Sequence, residues 1–224
     1  MKKDSGSHFA LRAPARRRRE PERRRPVQAR SQVTVEAILE ATIQVLVSDG
    51  FAALNTTRVA EVAGVSVGSL YQYFPNKRAL VRALLERFIG RLVDFMVAAL
   101  RAKRQAPLEE LVAGMVGGML AFKSSNLEAA LALRAVAAEV DFAPVIRGAE
   151  RRVAAALALA LRRRVREPGR AARVLIAAVD GAVKAALDER PALLRSPAFA
   201  RELIALAVGY LRTREAPEYD ASPR

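Results

Sequence analysis

Apolar side chains first fall into a helical rhythm at Val35, Ile38, Leu39, Val45 and Leu46, with Thr42 on the same stripe. Spacings of three and four residues put them on one face of a helix. The pattern predicts order beginning near Ser31 to Thr34 and stopping at Ser48-Asp49-Gly50. After the apolar connector Phe51 to Leu54, Asn55 is suited to cap a two-turn helix whose inner face is Val59, Ala60 and Ala63. Gly64 supplies the tight turn, and Val65 plugs it. A short helix from Val67 to about Phe74 turns Leu70 and Phe74 inward; Pro75 ends it, and Asn76 caps a long fourth helix from Lys77 to about Leu100. Breaks near Ala106-Pro107, Ser124 to Asn126, Ala143-Pro144, Pro168-Gly169, Arg190-Pro191 and Ser196-Pro197 delimit about five more helices. The expected fold class is all-α: an N-terminal three-helix unit joined through a long fourth helix to a larger helical domain.

Composition agrees, since aromatic residues are only 5% of a chain rich in Ala, Leu, Arg and Glu. There is no Cys and a single His, His8, which removes thiolate chemistry and nearly all imidazole chemistry. The expectation is a protein that is not an enzyme and needs no cofactor or metal. The longest apolar runs, 111–122, 153–161 and 203–211, fall short of the roughly 18–20 residues that span a bilayer. No apolar stretch follows Lys2-Lys3 as in a signal peptide. A cytoplasmic protein without a membrane partner is therefore expected.

The net charge is +15, and residues 1–33 hold eleven Lys/Arg against three acids. Residues 34–86 are nearly neutral, with four basic and five acidic groups. Residues 1–31 are expected to be a disordered basic arm, with Arg clusters at Arg16 to Arg19 and Arg23 to Arg25. Such an arm is either an electrostatic footprint for nucleic acid or a solvated leader.

The run TTRVAEVAGVS (56–66) followed by GSLYQYFPNK (68–77) resembles the helix-turn-helix of TetR-type repressors. The resemblance covers about residues 32–92, with the helix-turn-helix at 55–74. On physical grounds, a helix lying in the major groove needs one inward stripe and a small or polar outer face. The outer positions here are Val67, Gly68, Ser69, Tyr71, Gln72 and Tyr73. Gly68 and Ser69 permit close approach, with amides free for a phosphate, and Gln72 suits a bidentate contact to adenine. Tyr71 and Tyr73 offer hydroxyls or ring edges, although Tyr73 also has the option of half-burial. The resemblance further implies phosphate contacts from Thr56, Thr57, Arg58 and Lys77, and makes Tyr71 a positioning residue.

For residues 93–215 the resemblance implies a ligand-binding and dimerisation domain, with 216–224 a disordered tail. It places the dimer interface on helices at about Arg170–Glu189 and Pro197–Arg214, whose apolar positions Val174, Ala178, Gly181, Ala182, Leu203, Leu206 and Tyr210 suit either that interface or ordinary core. Met115, Met119 and Phe122 form one helical stripe beside Gly114, Gly117 and Gly118, which suggests either room for a ligand or ordinary core. Phe95, Met96 and Phe142 are further candidates to line such a site. Arg134 and Asp180 either anchor a polar ligand group, pair with each other or reach solvent. The expected partners are a palindromic double-stranded operator, a second copy of the chain and an unidentified small, largely apolar effector. The expected function is a repressor released by that effector; an activator and a non-sensing architectural DNA binder are the alternatives.

If the arm tracks phosphates, deleting residues 1–26 weakens binding to every DNA sequence and flattens the salt dependence. Equal salt slopes for full-length and truncated protein would make the arm a passenger.

Overall fold

Gly50 sits at φ 74° and ψ 174°, outside any helical conformation, and so breaks the first helical run where Ser48-Asp49-Gly50 predicts a stop. The computed structural model describes residues 24–136 and 139–215, with side chains from Arg30 onward. The first part of the basic arm, residues 1–23, and the tail 216–224 lie outside the described residues.

Helix α1 spans Arg24–Ala53, including the Gly50 break, and so begins at Arg24 rather than near Ser31. It is followed by α2 (Thr56–Ala63), α3 (Val67–Tyr73), α4 (Lys77–Ala102), α5 (Leu108–Ser125) and α6 (Leu127–Ala135). Then come α7 (Ala143–Ala160), α8 (Pro168–Glu189), a 3-10 turn at Pro191–Arg195, and α9 (Pro197–Arg212). The described residues hold no β-strand, in keeping with the expected all-α class.

Short polar side chains set the helix starts. Asn55 Oδ1 accepts from the Arg58 amide at 2.8 Å, Ser66 Oγ from Ser69 at 3.0 Å, and Asn76 Oδ1 from Ala79 at 2.9 Å. Each satisfies an amide that a helix start leaves without a partner, worth about 1 kcal/mol. Gly64 closes α2 at φ 67°, where a side chain would be strained, and its amide points back to the Ala60 and Glu61 carbonyls.

Two apolar cores form. The lower one gathers Ile38, Leu39, Val45 and Leu46 of α1, Val59 of α2, Leu70 and Phe74 around α3, and Leu80, Val81, Leu84 and Leu85 of α4. The upper core holds Leu92, Val93, Met96 and Leu100 of α4 with apolar residues of α5, α7, α8 and α9. Phe88 and Ile89 touch both. Each buried Leu or Val contributes roughly 1.5–3 kcal/mol, against about 0–1 kcal/mol for an exposed ion pair. Packing therefore fixes α4, and the Arg87 pairs with Glu36 (2.9 Å) and Glu40 (3.5 Å) are secondary.

The chain also returns to the lower core at the end of α6 and beyond it. Leu133, Val136, Val140 and Phe142 all bury there. Phe142, expected to line a ligand site, is instead part of the lower core, buried in company with Leu133, Val136 and Val140.

Candidate functional site

The outer surface of α2 and α3 brings most of the predicted DNA contacts together. Thr57, Arg58, Val67, Gly68, Tyr71 and Gln72 are exposed, while Thr56, Ser69, Tyr73 and Lys77 are half-buried. Inward burial of Leu70 and Val59 dictates this arrangement, since it rolls the opposite faces of both helices outward. Tyr71 is 49% exposed, and its hydroxyl lies 2.9 Å from Thr56 Oγ1, which ties the start of α2 to α3. Arg58 pairs with Glu61 at 3.4 Å on the surface.

Three members of the set behave differently from the expectation. Tyr73 packs against the lower core, its ring tilted on Phe74 at 6.5 Å, so half-burial is the outcome. The Ser69 amide is taken by Ser66 Oγ and is not free for a phosphate. The Lys77 ammonium donates to the Phe51 carbonyl at 3.0 Å and rests 4.4 Å from the centre of its ring. It therefore clamps the start of α4 to the α1–α2 connector, and only its remaining protons face outward chemistry.

A second site lies in the upper core. A cavity of about 90 Å³ opens between α4, α5, α7 and α8, lined mostly by Leu92, Val93, Met96, Met115, Val116, Met119, Ile146, Val153, Ile176 and Val179. Of the predicted ligand residues, Met96, Met115, Met119 and Asp180 line it. Four do not. Phe95 is 51% exposed, on the other side of α4. Phe122 packs edge-on against Phe88 at 5.3 Å. Arg134 makes a two-point contact with Asp188 at 2.8 and 2.6 Å, joining α6 to α8, and this holds the Asp188 carboxyl below its ordinary pKa. Phe142 belongs to the lower core, as described.

Two of the three glycines of α5 have another cause than ligand space, while Gly117 meets nothing within 4 Å. A Cβ on Gly118 would stand 2.8 Å from the Phe95 ring, and one on Gly114 would stand 2.9 Å from the Lys103 stem. Both admit side chains crossing from α4 and the loop after it, outside the cavity.

The polar end of the cavity holds a residue that sequence reasoning missed. Lys123 has only 9% of its side chain exposed, and its Nζ lies 3.7 Å from Asp180 Oδ1, ion-pair range but beyond a hydrogen bond. Asp180 Oδ2 is held by Lys184 at 2.6 Å. Burial pushes the Lys123 pKa below the ordinary lysine value; Asp180 pulls it back, and the charges of Lys184 and Arg134 add to the lowering. The signal was present in the spacing, because Met115, Met119 and Lys123 are each four residues apart on one helical face.

The dimer candidates divide as well. Val174 and Leu206 are exposed at 47% and 54%, and Ala178 and Gly181 are exposed beside Val174 on α8. Leu203 is buried in the upper core, while Ala182 and Tyr210 pack half-buried against it. Leu203 is used up by the fold of one chain, whereas Ala182 and Tyr210 lie at the edge of the free stripe and keep part of their surface exposed.

Residues 38–84 match the family description "Bacterial regulatory proteins, tetR family", and residues 107–211 match "Tetracyclin repressor-like, C-terminal domain". A nucleoid occlusion factor SlmA from Glaesserella parasuis is 35% identical over 92 residues, covering 41% of this chain and 44% of that protein. The chain thus aligns with less than half the length of this curated relative. A transcriptional regulator from a Rhodococcus species superposes with a TM-score of 0.65 at 21% identity, over 82% of this chain and 99% of the other. SmeT, the repressor of the Stenotrophomonas maltophilia multidrug efflux pump SmeDEF, superposes at 0.61 with 23% identity, over 87% and 98%. At these identities both likenesses concern the fold alone.

Replacing Lys123 by Met exchanges a poorly paired buried charge for an apolar chain of similar length. Below its depressed folded-state pKa the wild-type ammonium is buried charged, so the variant gains about 1 kcal/mol or more. That gain shrinks as pH climbs towards the ordinary lysine pKa of about 10.4, since a neutral amine resists burial less. Denaturant unfolding between neutral and alkaline pH measures it; a variant less stable at neutral pH would mean that the Asp180 contact outweighs desolvation.

Proposed function

Since the chain belongs to the tetR family of bacterial regulatory proteins and is a DNA-binding transcriptional regulator, we propose that it is a dimeric repressor that leaves a palindromic operator when a small, largely apolar ligand fills the cavity of its upper core. The observation that carries the reading is the position of α4. Its first turns share the lower core with α1 and with Leu70 of α3 through Leu80, Leu84 and Leu85, and Leu92, Val93 and Met96 are cavity wall. A body wedged against that wall moves a helix on which the recognition surface rests.

Recognition is assigned to the exposed face of α3, with Gln72 reading a base and Tyr71, Thr56 and Thr57 positioning the backbone. One such helix covers only a half-site, so a full operator needs two. The apolar stripes left open on α8 (Val174, Ala177, Ala178, Gly181, Ala185) and on α9 (Ala198, Ala205, Leu206, Gly209) support a two-fold helix bundle. Small side chains allow close approach of such helices. Two-fold symmetry sets the half-sites about one helical turn apart, roughly 34–36 Å, or a multiple of it.

Relatives named as nucleoid occlusion factors favour a second reading, an architectural DNA binder. Many dispersed sites and no ligand response in a genomic footprint would select that reading; a few palindromes beside regulated genes would select the repressor. An activator on the same fold would share those palindromes and differ in raising transcription from them.

Gln72→Ala is expected to cost about 1–3 kcal/mol on the preferred site and to relax one base position. An unchanged preference in randomised-site selection removes Gln72 from readout. Leu206→Glu places a charge in the proposed bundle and yields monomers that release the full operator. A variant that sediments like wild type places the interface elsewhere.

A further inference from the structure

We propose that the cavity takes an amphipathic anion, its apolar body between α4, α5 and α8 and its single carboxylate-type head on the Lys123 ammonium. The proposal rests on the reading of this cavity as the effector site and adds the chemical class of the effector.

The Lys123 ammonium is poorly paired. Lys123 carries three N–H donors on a side chain that is nine-tenths buried, and its Nζ makes no side-chain hydrogen bond within 3.5 Å among the described residues. The nearest carboxylate oxygen, on Asp180, is 3.7 Å away, and the other oxygen of that carboxylate is committed to Lys184 at 2.6 Å. One carboxylate thus serves two ammonium groups. Glu150, the remaining acid of the lining, forms no ion pair among the described residues and so does not answer Lys123. An incoming anionic head supplies the missing acceptor and the missing charge together. A cationic head would meet Lys123 and Lys184 instead.

The remainder of the lining suits an alkyl or similarly apolar body. Met96, Met115 and Met119 form much of it, and methionine chains repack readily to enlarge a small cavity. Lys123 stands at one end of this methionine stripe, four residues beyond Met119, so one linear amphiphile spans stripe and ammonium together.

Calorimetric titration of the full chain with octanoate, 1-octanol and octyltrimethylammonium tests this, on wild type and on Lys123→Met. Octanoate is expected to bind wild type roughly 10- to 150-fold more tightly than 1-octanol, the span of one hydrogen bond to a charged group. That advantage falls to near parity in Lys123→Met, with 1-octanol unaffected. The ratio measured on wild type stands whether or not the variant folds. Equal binding of octanoate and 1-octanol overturns the anionic head and leaves the cavity as an apolar site. Preference for the ammonium overturns it in favour of Asp180 and Glu150 as the recognising groups. Binding of none of the three overturns the effector site itself.

Discussion

Everything distinctive about this chain depends on α4 being buried at both ends in different company. Leu80 to Leu85 are locked in the lower core with α1, α2 and α3, and Leu92 to Leu100 are locked in the upper core with α5 and α7. A helix of 26 residues is about 39 Å long, and the stretch from Lys77 to the cavity wall at Leu92 is about 22 Å of it. Neither core can repack around α4 without the other sensing it. The second return of the chain, through Leu133, Val136, Val140 and Phe142, strengthens the bond between the two cores. Lys77, clamped on the Phe51 carbonyl and ring, fixes the lower end.

Against that rigid connection, the upper core contains the softest packing in the path. Three methionines and a cavity of about 90 Å³ sit where α4, α5, α7 and α8 meet, together with a lysine that burial disfavours as a charge. Such a place is costly to stability. The opposite face of α8 carries the open small-residue stripe, so one helix stands between cavity and proposed partner. A ligand acts on DNA affinity only through its different affinity for the two arrangements of these helices.

The lower half of the molecule was legible because its signals are local. Asn55 and Asn76 cap helices through their own side chains, Gly50 and Gly64 adopt positive φ, and Leu70 with Phe74 specify which face of α3 turns inward, while the Ser66 cap emerged only with the structure. Periodicity in the upper half identified helices but not their neighbours, and a ligand site is made of neighbours. Phe95 and Met96 are adjacent in sequence, yet one lies against solvent over Gly118 and the other lines the cavity. Phe122, expected to line a ligand site, and its neighbour Lys123 divide in the same way. The aromatic residue packs against Phe88, while the lysine, a type that ordinarily reaches solvent, is the one turned inward. Leu203 shares a broad apolar face of its helix with Leu206, and only the packing of α5 on α9 decides which part of that surface is used up.

The central claim is that the two cores open as one unit because α4 belongs to both. Native-state hydrogen exchange at increasing denaturant tests it directly, by comparing the amides of Leu84 in the lower core and Val93 in the upper core. The account predicts one shared opening free energy and one shared denaturant slope for both amides. Opening of Leu84 at distinctly lower free energy, with the upper core still protected, would contradict it.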